Sequence, residues 1–235
     1  MLEVLLELKN VNKFFQSGPS KIEALKTTNF QAKSGELIAI IGPSGSGKST
    51  FLTIAGGLQT PSNGDVIING KNLSSLKEKK RAALRLEEIG FVLQSSNLVP
   101  FLNVEQQMQL LDKVKKNNLS TEKLEQLYES LGIHELLKSF PADLSGGQRQ
   151  RVAIAKAMYT DPSIILADEP TASLDSDRAF EVMELLKKAT KDNGKTTIVV
   201  THDTRLIDYC DKVYNITDGR LSLVNTTKHT EVVNH

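Results

Sequence analysis

Residues 42–49 constrain this chain more than any others. They read Gly42-Pro43-Ser44-Gly45-Ser46-Gly47-Lys48-Ser49 and directly follow the apolar run Leu37–Ile41. The pattern G-x-x-x-x-G-K-[ST] between a strand and a helix makes a loop that holds polyphosphate. Its glycines let the backbone turn its N–H groups inward. The helix that follows adds the positive end of its dipole. Lys48 supplies a point charge for the β- and γ-phosphates, and Ser49 a hydroxyl suited to Mg²⁺. Taken alone, the run also reads as an ordinary Gly-Ser turn. Its position between an apolar strand and a helical pattern argues for the phosphate loop and for an α/β fold.

The rest of the sequence agrees. Strands are predicted at residues 4–8, 24–30, Leu37–Ile41, 65–68, 89–93, 164–167, Thr196–Val200 and 213–216. Turns punctuate them at Ser17-Gly18-Pro19, Ser34-Gly35, Asn69-Gly70 and Asp218-Gly219. A helix follows Lys48, turns Phe51, Leu52 and Ala55 inward and ends near Gly56-Gly57. From about residue 103 to 160 the pattern is helical throughout. There Leu124, Leu127, Tyr128 and Leu131 stand at i, i+3, i+4, i+7. Ser120 is the N-cap, and Lys123 stands where a capping box needs an acid or amide. Residues 178–191 form an amphipathic helix with Ala179, Val182, Met183 and Leu186 on one face, and 206–210 a shorter one. Strands alternating with helices predict a mainly parallel, doubly wound sheet, with the helical block inserted in it. The predicted organisation is one domain over 1–235: an α/β core at 1–93 and 161–224, a helical subdomain at 94–160 and a flexible tail at 225–235.

Two further runs carry chemistry. The apolar residues 164–167 lead into Asp168-Glu169. A buried strand that delivers one acid at its end suits Mg²⁺ binding by Asp168. The adjacent Glu169 suits a general base on the water that attacks the γ-phosphate. Without the phosphate loop, the same run reads as a strand ending in a solvated acidic turn. Leu144-Ser145-Gly146-Gly147-Gln148 ends 20 residues before Asp168. A Ser-Gly-Gly turn opening a helix is a second anion site by the same helix-end physics.

GPSGSGKST, LSGGQ, LADEP and TH, in this order, resemble the motif set of ATP-binding cassette (ABC) proteins, over residues 6–221. The resemblance implies a P-loop NTPase (RecA-like) fold with an antiparallel β portion, and ATP and Mg²⁺ as cofactors. It implies nucleotide contacts from Gly42, Pro43, Ser44, Gly45, Ser46, Gly47, Lys48, Ser49 and Thr50. Phe15 would stack on adenine, where the family often has Tyr, with Phe14 the rival for that role. Ser49, Gln94 and Asp168 would meet the metal. Glu169, His202 and Gln94 would serve catalysis. On residues alone, Gln94 carries no signal and His202 reads as a buried structural histidine. The family also implies a head-to-tail homodimer. Each ATP would then touch one chain's phosphate loop and the other's Ser145, Gly146, Gly147, Gln148 and Asp175. His134, His229 and His235 match nothing.

Composition bounds the partners. The 235 residues carry a net charge of +1, no tryptophan and 5% aromatics, which argues against a nucleic-acid partner. The single cysteine, Cys210, excludes an intrachain disulfide framework. No apolar run reaches the ~18 residues of a membrane-spanning helix. The implied permease is therefore a separate polypeptide, with this chain peripheral on the cytoplasmic face of the membrane. The Gln94 loop, with Leu98, Val99, Pro100 and Phe101, and the helical block make the expected docking face. Gly56-Gly57-Leu58, Ile89-Gly90-Phe91 and Asn97-Leu98-Val99-Pro100 resemble the lipoprotein-releasing and macrolide-export branch, whose permeases have few spans and a large external domain. RLEEIGFVLQSSNLVPFL and ILADEPTASLDSDRA resemble the haem-export ATPases of Gram-positive bacteria. Haem efflux is the favoured cargo and direction. Export of antimicrobial peptides or drugs, or lipoprotein handling, are the alternatives. A soluble cassette ATPase of DNA repair is the rival of a different class. It needs a long arm between its halves, and only 95 residues separate Lys48 from Leu144.

Overall fold

The computed structural model describes residues 3–224. Two sheets share the chain. In the first, β1 (Val4–Ser17) and β2 (Ser20–Lys33) form a hairpin, and β4 (Asn63–Ile68) and β5 (Lys71–Asn72) extend it in the order β2-β1-β4-β5, all antiparallel. The second holds β3 (Leu37–Ile41), β6 (Ile89–Val92), β7 (Ile164–Asp168), β8 (Thr196–Val200), β9 (Lys212–Thr217) and β10 (Arg220–Val224) in the order β10-β9-β3-β8-β7-β6. Its strands are parallel except for β10, which closes the edge in an antiparallel pair.

The central strands are buried on both faces, as parallel strands covered by helices must be. Alternate residues feed two cores. Ile38, Ile40, Ile164, Leu166, Ile198 and Val200 face α1 (Lys48–Ala55) and the inner side of the antiparallel sheet. Leu37, Ile165, Ala167 and Val199 face the helical layer, built on α5 (Gly146–Tyr159) and α6 (Ser176–Asp192). The first core is pinned by Phe30 against Phe51, edge to face with centroids 5.1 Å apart. The segment between β6 and β7 is helical, with α3 (Val104–Asp112) and α4 (Thr121–Ser130) before α5. Ser120 caps α4 through the Lys123 N–H at 3.4 Å, with no reciprocal bond, as expected. Full capping boxes stand instead on α3 (Asn103 with Gln106) and α5 (Ser145 with Gln148).

Several elements differ from the sequence prediction. The hairpin strands are 14 residues each, far longer than 4–8 and 24–30, because their outer halves are exposed and lack an apolar pattern. Helix α2 (Glu78–Glu88) was not predicted, since only Leu84 of its eleven residues is buried. Strand β10 was missed for the same reason. The predicted helix at 206–210 is a 3-10 turn, Thr204–Tyr209. The predicted tail, with His229 and His235, lies outside the described residues.

Parallel order brings the carboxyl ends of β3, β8, β7 and β6 into one row, where open α/β sheets bind their ligands. The phosphate loop follows β3, Glu169 follows β7, His202 follows β8 and Gln94 follows β6.

Candidate functional site

The loop after β3 is threaded between two carbonyls. Gly42 has φ 147°, and a Cβ there would come 2.2 Å from the Ile216 carbonyl oxygen. Gly47 has φ 110°, and its Cβ would come 2.5 Å from the Ala24 carbonyl oxygen. Only glycine passes at either point. The Asp218-Gly219 turn braces the loop, with the Gly219 N–H donating to the Ser46 carbonyl at 2.9 Å. Lys48 curls back, its Nζ donating to the carbonyls of Gly42 at 2.7 Å and Pro43 at 2.9 Å. Gly47 caps α1 without any side-chain bond, so the first N–H groups of the helix stay free for an anion. The Ser46 hydroxyl is buried and has no hydrogen-bond partner among the described residues. A cradle of free donors with an unmatched hydroxyl fits a polyphosphate.

Beside it, the Ser49 hydroxyl donates to Asp168 Oδ2 at 3.1 Å. Asp168 ends β7 half-buried, and burial holds its carboxyl above the usual carboxylate range, against the pull of the Ser49 bond. Among the described residues no cluster of three or more His, Cys, Asp or Glu would hold a metal alone. The fit is to a hard cation taking Ser49 and Asp168 oxygens, with phosphate and water supplying the rest. Glu169 has φ 50°, a left-handed backbone that is rare away from glycine and clusters at functional sites. Its N–H donates to the Val200 carbonyl at 2.9 Å, and its Oε1 lies 2.9 Å from His202 Nδ1. The His202 side chain is 72% exposed, so the reading as a buried structural histidine fails. Gln94 is exposed two residues beyond Val92, whose register partner on β7 is Ala167. That places it on the same rim, but it makes no hydrogen bond to Ser49 or Asp168.

The turn before α5 stands apart from this cluster. Ser145 Oγ accepts the Gln148 N–H at 3.2 Å, and Gln148 Oε1 accepts the Ser145 N–H at 2.7 Å. A Cβ on Gly147 would lie 3.0 Å from Leu174 Cδ2 and 3.2 Å from the Ser173 carbonyl oxygen, and one on Gly146 3.6 Å from Ser173 Cβ. The turn therefore packs on Ser173-Leu174. Asp175 then caps α6, accepting the Arg178 N–H at 2.9 Å. Arg149 holds the turn from behind, donating to the Leu144 carbonyl and to that of Pro141. Ser145 and Gly146 are exposed. No hydrogen bond among the described residues joins this turn to the same chain's phosphate loop. Phe15 is 38% exposed on the hairpin whose Ala24 meets Gly47. Lys13 Nζ sits 5.2 Å from its ring centroid. Phe14, on the opposite face of the strand, is half-buried beneath Lys21.

Known proteins share this fold. The sequence profile described as ABC transporter matches residues 25–172. The chain belongs to the ABC transporter family. It is 46% identical over 220 residues to the putative hemin import ATP-binding protein HrtA of Staphylococcus haemolyticus, covering 93% of this chain and 99% of that one. It is 43% identical over 220 residues to the protein of the same name from Staphylococcus aureus N315, covering 92% and 99%. Among solved structures, the dimeric bacterial ABC transporter cassette MJ0796 superposes with a TM-score of 0.86 at 38% identity, covering 93% of this chain and 98% of that one. Its post-hydrolysis dimer, bound to ADP and Pi, gives a TM-score of 0.85. This ABC chain is thus the ATP-binding, ATP-hydrolysing subunit of a transporter. Among its described residues no helix is long and apolar enough to cross a membrane.

Sequence reasoning missed the parts of the ABC site that brace it. The carbonyls of Ala24 and Ile216 and the amide of Gly219 carry no side-chain signal; the Asp218-Gly219 dipeptide predicts only a turn. Arg149 stands two residues after the Ser-Gly-Gly run, yet nothing in the spacing shows that it folds back onto it.

Proposed function

We propose that two copies of this ABC ATPase close head to tail on two ATP molecules and drive a separate permease that moves haem. The observation that carries the ATPase chemistry is the pairing of two contacts on one sheet rim, Ser49 with Asp168 and Glu169 with His202. In this reading residues 42–50 wrap the phosphates, and Lys48 exchanges its two loop carbonyls for phosphate oxygens. Ser49 and Asp168, with Gln94 from the loop after β6, would hold Mg²⁺, which would supply charge neutralisation on the phosphates. Glu169 accepts the proton of the attacking water as the bond from γ-phosphorus to the bridging oxygen breaks. His202 orients that carboxylate. Phe15 offers a ring face to adenine.

The exposed Ser145 and Gly146 and the half-buried Gly147 and Gln148, together with Asp175, serve the partner's ATP. That the similar solved cassettes are dimeric supports this. Residues 1–93 and 161–224 act as the ATP-binding core and 94–160 as the transmitting helical part. The chain then sits peripherally on the membrane through a permease of few spans with a large external domain.

Haem as cargo is supported by the names of the relatives and by the sequence resemblance. Those relatives are named for import, whereas the resemblance to haem-export ATPases favours efflux, and efflux is the direction proposed. The test uses membrane vesicles carrying the chain and its permease, with Glu169→Gln as control. ATP-driven haem accumulation in inside-out vesicles supports efflux. Accumulation in right-side-out vesicles loaded with ATP reverses the direction. ATPase activity stimulated by an antimicrobial peptide or a lipoprotein, and not by haem, replaces the cargo.

A further inference from the structure

A cleft of about 310 Å³ lies between α4 and α6, away from the nucleotide site. Its floor is apolar, made by Met158 at the end of α5 and Ile165 at the start of β7. Leu127 and Leu185 form its walls, one from each flanking helix. Ile165 belongs to the amino half of β7, whereas Asp168 ends the strand. The α6 residues that line the cleft run from Leu185 to Asp192, whereas Asp175 caps the other end of that helix. A 17-residue helix spans about 25 Å, so the cleft and the nucleotide rim occupy opposite ends of the core.

The rim is charged in a particular way. Lys195 is already engaged, donating to Asp161 Oδ1 and to the Pro162 carbonyl, each at 2.6 Å. The side chains of Lys123 and Lys188 have no ion pair or hydrogen bond among the described residues, and both line the cleft, one from each flanking helix. Asp192 is the one acid of the rim without a partner, so the mouth keeps a net positive charge. An apolar floor of this size under two free ammonium groups matches a ligand with an apolar body and one anionic head. The volume stands at the small end of the range for small-molecule sites.

We propose that this cleft binds a small amphipathic carboxylate, its apolar chain on Met158, Ile165 and the two leucines and its head group between Lys123 and Lys188. Seated there, the ligand ties α4 of the helical segment to α6 of the core. The site is independent of the ATPase reading above.

Isothermal titration of the full chain with dodecanoate, kept below its micelle-forming concentration and with ADP saturating, tests the idea. The expected result is saturable one-to-one binding. It weakens at least about tenfold in Lys123→Glu/Lys188→Glu and in Gln126→Trp, which fills the mouth from an exposed position. Dodecylamine, with the same chain and the opposite charge, does not bind. The proposal is overturned if no saturable heat appears, if both variants bind as the parent does, if the amine binds equally, or if ADP displaces the carboxylate. Co-sedimentation with phosphatidylglycerol vesicles that needs both lysines, in the absence of dodecanoate binding, assigns the two charges to a lipid surface and also overturns it.

Discussion

At φ 50°, Glu169 holds a backbone conformation that costs a non-glycine residue about 1 kcal/mol or more. That turn is held by the Glu169 N–H donating to the Val200 carbonyl and the Glu169 carbonyl accepting the Ala172 N–H, and it comes with Oε1 lying 2.9 Å from His202 Nδ1. If the carboxylate is the base, Glu169→Gln lowers kcat by about 10²- to 10⁴-fold. Nucleotide affinity by fluorescence titration stays within about threefold. A variant that loses ATP binding as well would put Glu169 in the cradle instead. Asp168 gives a second residue-level test. Burial raises its carboxyl above the ordinary value of 3.8. The native state therefore holds that proton more tightly than the unfolded chain does. The fold is favoured by this group below pH 3.8, and the advantage is lost as pH rises through the raised native value. In the absence of nucleotide and Mg²⁺, Asp168→Asn removes the penalty that ionisation brings at neutral pH. It should stabilise the fold at pH 7, by an amount kept small because the group is only half-buried and still screened by solvent, while abolishing turnover. Thermal melts at pH 7 and pH 4 read the difference, which should shrink at the lower pH. An Asn variant less stable than the parent at both pH values would show that the Ser49 bond, not desolvation, dominates.

Elements differ in how far the sequence foretells them, and the reason is burial. Strands β3, β7 and β8 were legible because both faces are covered and each is a run of apolar or β-branched residues. The phosphate loop and the Ser-Gly-Gly turn were legible because backbone geometry restricts them to a few residue types. Helix α2 was not, since EKKRAALRLEE buries one leucine and its existence depends on neighbours. One of those neighbours is itself unreadable in sequence. Lys115, whose side chain is 4% exposed, donates to the Glu87 carbonyl at 3.0 Å and to that of Thr160. These are orphan carbonyls at the carboxyl ends of α2 and α5. One buried ammonium thus closes two helix ends and fastens the segment between α3 and α4 to both. Within the KVKK run at 113–116, nothing but the fold distinguishes this lysine from Lys113 or Lys116. Lys115→Met keeps the length and removes the donors, leaving the buried Thr160 carbonyl and the part-buried Glu87 carbonyl unmatched. The expected cost is about 2–3 kcal/mol, read as a shift of the urea midpoint. The same change at Lys116, which is exposed, should cost under about 0.5 kcal/mol. Equal effects at the two positions would sink the account.

At the scale of the whole molecule, one chain holds two halves that do not meet. The phosphate loop packs on Ala24, Ile216 and Gly219, and the Ser-Gly-Gly turn on Ser173 and Leu174. The segment 169–174 runs between them, with hydrogen bonds from the Ala172 N–H to the Glu169 carbonyl and from the Leu174 N–H to the Thr171 carbonyl. If each ATP needs the loop of one chain and the turn of another, two different lesions should complement. Lys48→Ala weakens the loop and leaves the turn intact. Gly146→Asp places a carboxylate at the exposed amino end of α5, where it repels phosphate, and leaves the loop intact. Each variant alone should be inactive, because every dimer it forms has a lesion in both sites. Mixed in equal amounts, half of the dimers pair one of each. Such a pair has one site with two intact halves and one site with two damaged halves. Activity should return to about a quarter of the parent value if the sites act independently, and the returned fraction should fall on dilution. A mixture that stays as inactive as its components would mean either that both halves of a site come from the same chain or that neither site fires without the other. Titrating the parent chain into each variant separates these. A turn and a loop that work within one chain predict activity proportional to the parent added, whereas obligate pairing of intact sites predicts activity rising with its square.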